Sequence, residues 1–76
     1  HDGLALKICA QLQPVIGRLL AGAGERGELQ IDDPDTAASF CVYGQLGILL
    51  DQSIPASERT ERIHSFLLEL VRRFQA

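Results

Sequence analysis

The chain has 76 residues, a formal net charge of -3 and a pI near 5.1. Phosphate contacts need clustered Lys and Arg, so this acidic composition argues against a nucleic-acid surface among these residues. One core of this size buries only ~60% of the surface that the unfolded chain exposes, so association with a partner is expected to help. The sequence contains no Met, and the chain is therefore expected to be part of a longer protein.

At about 100° of rotation per residue, the first segment sorts into a helix over about residues 3–24. Leu4, Ile8, Cys9, Leu12, Val15, Ile16, Leu19 and Leu20 form one broad apolar stripe, and Lys7, Gln11, Pro14 and Arg18 lie opposite. The periodicity runs through Pro14, which predicts one helix bent at a solvent-facing proline. Gly22 to Gly27 should end it, because glycine enters left-handed conformations without strain.

Asp33-Pro34 opens a second helix, expected to run to about Gln52. The acid can accept from free N–H groups and the proline needs no donor in the first turn. Two apolar faces follow. Val42, Tyr43, Leu46, Leu49 and Leu50 make a face of large side chains, while Ala37, Cys41, Gly44 and Gly47 make a small one alongside Phe40 and Ile48. A helix that is apolar nearly all round needs partners on both sides. Each interior glycine costs about 1 kcal/mol relative to Ala, so Gly44 and Gly47 point to close approach by another helix.

After a short connector, Ser57 is a candidate cap for a third helix over about residues 57–75. Ile63, Leu67, Leu70 and Phe74 recur at coiled-coil-like spacing, flanked by Phe66 and Val71. Glu58 with Arg62 and Glu69 with Arg73 form four-residue pairs on the polar side, worth a few tenths of a kcal/mol each. No stretch alternates with period two, so the fold class is all-α: a single domain fragment of three helices.

The stretch LLAGAGERGELQIDDPDTAA, from Leu19 to Ala38, joins the first two helices. A Leu-rich helix closes on glycines, a charged turn and a short hydrophobic return follow, and Asp-Pro opens a helix beginning Ala-Ala. From about Leu12 to Leu50 this arrangement resembles the late helices of bacterial regulators in the tetracycline-repressor family. The resemblance implies a C-terminal domain that binds a small effector and dimerises, with the last two helices of each subunit forming an intersubunit four-helix bundle. It places Ala37, Phe40, Cys41, Gly44, Gly47, Ile48, Ile63, Leu67, Leu70 and Phe74 at the homodimer interface. Cys9, Leu12, Ile16, Tyr43 and Leu46 become candidates to face an apolar effector with few polar contacts. The chain holds no basic helix-turn-helix segment, so operator DNA would be bound only by an N-terminal part of the parent protein.

Other constellations carry less. Gly22-Ala23-Gly24-Glu25-Arg26-Gly27 matches the dinucleotide pattern G-x-G-x-x-G, but a helical stripe stands where a strand is required, so a helix-terminating turn is the expected role. Glu28, Asp32, Asp33 and Asp35 lack the ligand spacing of a calcium loop, and His1, His64, Cys9 and Cys41 fall in no zinc-ligand spacing, so no metal site is expected. Cys9 and Cys41 are expected to remain free thiols on apolar faces. His64 is expected at the border of an apolar face, partly buried, and Tyr43 in the core. No catalytic residue or cofactor is assigned, and the chain is not expected to be an enzyme; a stand-alone helical interaction module and, further off, a small cofactor-binding enzyme are the alternatives. No uninterrupted apolar run approaches the ~20 residues of a membrane-spanning helix, so a soluble, cytoplasmic protein with no membrane partner is expected.

Overall fold

Three helices follow one another along the chain, and each boundary has a local chemical cause. The computed structural model describes residues 2–76; His1, considered above as a metal ligand, lies outside the described residues. Helix α1 spans Asp2–Glu25, α2 spans Pro34–Leu49 and α3 spans Ala56–Phe74, which makes the chain all-α.

α1 runs without interruption through the exposed Pro14. It closes in a Schellman motif: the Glu28 N–H donates to the Ala23 carbonyl at 2.9 Å and the Gly27 N–H to the Gly24 carbonyl at 3.1 Å. Gly27 has φ of 76°. Gly22 and Gly24 lie inside the helix, and only Gly27 uses the left-handed freedom of its residue type.

At the start of α2, Asp33 accepts from the Thr36 N–H at 3.1 Å and from the Thr36 hydroxyl at 2.6 Å. Pro34 occupies the first helical turn. The helix stops three residues short of Gln52. Beyond it, the Asp51 carboxylate accepts from the Ser53 N–H at 2.9 Å and the Ser53 hydroxyl at 2.6 Å, and this side-chain turn competes with another helical turn. α3 starts one residue earlier than expected, and Ser57 does not cap it. Pro55, at φ of -53°, is the residue before the helix, and its carbonyl accepts the Glu58 N–H at 2.9 Å, which leaves Ser57 inside the first turn.

α2 is the middle helix: α1 packs closely along it, α3 packs more sparsely on another side, and α1 and α3 make no close helix contact. The α1–α2 contact is tight because small residues meet there. Cys9, Ala38 and Val42 are buried, and a Cβ added at Gly17 would stand 2.5 Å from Asp35 Oδ1 and 3.8 Å from Ala38 Cβ. Gln13 Nε2 donates to the Asp35 carbonyl at 3.1 Å across the same contact.

α3 is tied at both ends. Arg59 donates to the carbonyls of Ile54 at 3.0 Å and Leu49 at 3.2 Å. At the far end, the Gln30 N–H donates to the Phe74 carbonyl at 2.7 Å and the Ala76 N–H to the Glu28 carbonyl at 3.3 Å, a short antiparallel pairing that period-two alternation did not reveal.

The result is a layer one helix thick. Its extents are 38 × 24 × 13 Å and its radius of gyration is 13.4 Å, against about 11 Å for a compact domain of this length. The broad stripe of α1 is divided: Cys9 faces α2, Ile16 and Leu20 are half-buried, and Leu4, Ile8, Leu12, Val15 and Leu19 are exposed. By length and composition alone, Gly3–Glu25 is apolar enough to cross a bilayer. It holds no long uninterrupted apolar run because Lys7, Gln11, Gln13 and Arg18 divide it without making the segment polar on average.

Candidate functional site

Gly44 on α2 and the apolar stripe of α3 create an apolar concavity. Phe40, Cys41, Gly44, Gln45 and Ile48 from α2 and Ile63, Phe66, Leu67 and Leu70 from α3 line an open groove of about 170 Å³. Its floor is low because Gly44 carries no Cβ and nothing comes within 4 Å of the point where one would stand; Gly47, which does not line the groove, is equally open. Gly17 has a neighbour within its own chain that accounts for it. Gly44 and Gly47 have none.

The chemistry of this groove is apolar. Gln45 supplies its one amide, and no charged side chain lines it. Burial pushes the Cys41 thiol up, so at neutral pH it stays protonated and behaves as a small hydrophobe rather than a nucleophile. Phe40 and Phe66 stand at the rim, 78% and 53% exposed. A second, shallower concavity on the outer side of α3 is lined by Glu58, Glu61, Arg62, Ser65, Phe66 and Glu69. Arg62 is paired there with Glu58 at 3.1 Å, and Arg73 pairs with Glu69 at 3.2 Å, as the four-residue spacing predicts for a solvated face.

Of the residues assigned to the dimer interface, Phe40, Cys41, Gly44, Ile48, Ile63, Leu67 and Leu70 meet in the apolar groove. Ala37 is half-buried, Gly47 and Phe74 are exposed, and none of the three lines it. Phe66 and Gln45 were absent from that set. Phe66 sits three residues after Ile63 and four before Leu70, a spacing that marks it as a neighbour of the stripe; Gln45 is polar and carries no such signal. α3 of the same chain already covers part of the small face of α2, so that face is partly rather than wholly open.

The five effector-facing candidates are not gathered around either concavity. Cys9 is buried in the α1–α2 contact, its Sγ 4.0 Å from the Val42 carbonyl oxygen. Ile16 and Leu46 are half-buried, and Leu12 and Tyr43 are exposed. Tyr43 is thus not a core residue: it lies on the open side of α2, about 100° away from the buried Val42. His64 is likewise exposed rather than partly buried, since α3 turns only its Ile63 stripe toward α2. Both cysteines are free.

Comparison with protein-family models, curated proteins and solved structures returns no match to this chain.

Proposed function

We propose that this chain is the dimerising and effector-sensing portion of a cytoplasmic regulator resembling the tetracycline-repressor family, with operator DNA bound by an N-terminal part of the parent protein. The observation that carries the reading is the apolar surface left open by α2 and α3. The chain exposes 5668 Å², whereas a compact monomer of this mass exposes ~4,600 Å². The excess of roughly 1,000 Å² is comparable to the ~800 Å² that each partner contributes to a standard interface. Part of that surface is apolar, since Phe40, Tyr43, Phe66, Val71 and Phe74 are exposed on α2 and α3, as are Leu4, Ile8, Leu12 and Leu19 on α1. The apolar part is stabilised by a partner that removes it from water, at about 25 cal/mol per Å² before the cost of association.

A second copy of the chain is the occupant that fits. Pairing α2 and α3 with their symmetry mates gives four helices around the groove residues, and the Gly44 and Gly47 backbone is free to be approached closely. In this arrangement α1 is the helix left to contact an apolar effector, through Leu12 and its neighbours, while no residue has a catalytic part. Sedimentation equilibrium of the purified chain at about ten to a hundred micromolar, above the dissociation constants of specific complexes, tests the reading. A two-fold mass is expected; a monomer throughout that range contradicts it, and a chain that associates only with a different polypeptide replaces it with a heteromeric interaction module.

A further inference from the structure

We propose that Phe40 is the anchor of that interface: its ring enters the α2–α3 groove of the second copy, in a register centred on Gly44. The inference rests on the self-association proposed above and specifies which residues meet. Phe40 is the most exposed large apolar side chain described, at 78%, yet it stands at the rim of an apolar groove rather than on a polar surface. The groove measures about 170 Å³, and an apolar cavity of about 150 Å³ is enough to hold benzene. The groove is therefore of a size to take one phenyl ring, and Phe40 and Phe66 of the same chain stand at its rim without filling it.

With the crossing placed at Gly44, symmetry fixes the register. In a two-fold interface, if residue i meets residue j, then j meets i. Phe40 and Ile48 lie equally far from Gly44, one helical turn on either side, about 6 Å along the axis. An antiparallel crossing of α2 with its mate at Gly44 sets Phe40 against the partner subunit's Ile48, and Ile48 against the partner subunit's Phe40. At the crossing the two Gly44 backbones meet, where no Cβ stands and nothing lies within 4 Å of the Cβ position, and this close approach lets the ring reach the partner's groove beside Ile48 of the partner subunit. Two copies of one aromatic anchor, each in an apolar slot, supply the central contact that dimer interfaces concentrate in a few large side chains.

The test joins affinity with proximity. Phe40→Ala, at an exposed position, leaves the helical circular dichroism intact and weakens the dimer by at least roughly 30-fold, the loss typical of a central anchor. In a Cys41→Ser background, Phe40→Cys chains mixed with Ile48→Cys chains, at a concentration above the dissociation constant measured for Phe40→Ala, give a cross-linked heterodimer under mild oxidation, and neither chain alone cross-links to itself. A stable dimer in which Phe40→Ala changes affinity less than about twofold, or in which the mixture does not cross-link, overturns the anchor and its register while leaving self-association standing. An unsubstituted chain that is monomeric overturns both.

Discussion

Asp33 shows how much one side chain does at a helix end. Its carboxyl is held below the usual carboxylate range, first by the Thr36 hydroxyl and next by the Thr36 N–H. A lowered value in the folded state means that the folded chain binds the proton less readily than the unfolded one. The stabilisation is therefore present above the ordinary carboxylate range and is lost as pH falls through the lowered value. Asp33→Ala should reduce the Tm at pH 7, and thermal melts of the two chains should converge in strong acid; a difference independent of pH would mean that ionisation has no part in the cap. Gly17 and Gly44 make a second contrast at this scale. Gly17→Leu should cost about 1–3 kcal/mol of folding stability by overpacking α1 against α2, measured by urea denaturation. Gly44→Ala, with open space at its Cβ, should instead stabilise the isolated chain by up to about 1 kcal/mol through helix propensity. The same change should weaken the dimer, so the two glycines are separated by which equilibrium responds.

The elements were legible in the sequence wherever their signals are local. Asp33-Pro34 and Gly27 act on groups within a few residues, so the start of α2 and the end of α1 follow from residue type and position. The end of α2 was placed too late because its apolar pattern continues through Leu49 and Leu50, while the turn that stops it is made by Asp51 and Ser53. The tie at Arg59 is less legible still, since its acceptors are backbone carbonyls and any side chain can provide those. Its guanidinium reaches two of them at once, which a lysine ammonium cannot reproduce with the same fork geometry. Arg59→Ala should cost about 1.5–3 kcal/mol in the docking of α3, the range of hydrogen bonds to charged groups. Faster amide exchange confined to α3 and the connector is the expected readout; uniform acceleration across α1 would mean that Arg59 supports the whole fold instead.

For the molecule as a whole, periodicity revealed how many helices there are and which of them is apolar on two sides, but not how they are arranged. A wheel cannot distinguish a triangular bundle from a flat layer, because the same stripe can be covered by a neighbour or left open. The division of the α1 stripe and the pairing of Glu28–Gln30 with the chain end both depend on that arrangement. Most of the groove was legible because the small face of α2 and the Ile63 stripe of α3 were each marked by spacing, and antiparallel neighbours bring such faces together. The effector-facing set was not gathered, since the α1–α2 contact buries Cys9 while Leu12 and Tyr43 lie on surfaces that contact leaves open. A layer this thin has little interior, and its stability is tied to what covers its faces. The most direct measurement is the dimer dissociation constant of Gly44→Leu beside that of Glu69→Ala, with circular dichroism to show that helix is retained in both. Gly44→Leu fills the floor of the groove and should weaken the dimer by about 1–3 kcal/mol, whereas Glu69→Ala on the solvated side of α3 should change it by less than about 0.5 kcal/mol. A dimer that survives Gly44→Leu and is disrupted by Glu69→Ala would contradict the α2–α3 interface and move self-association to the opposite face.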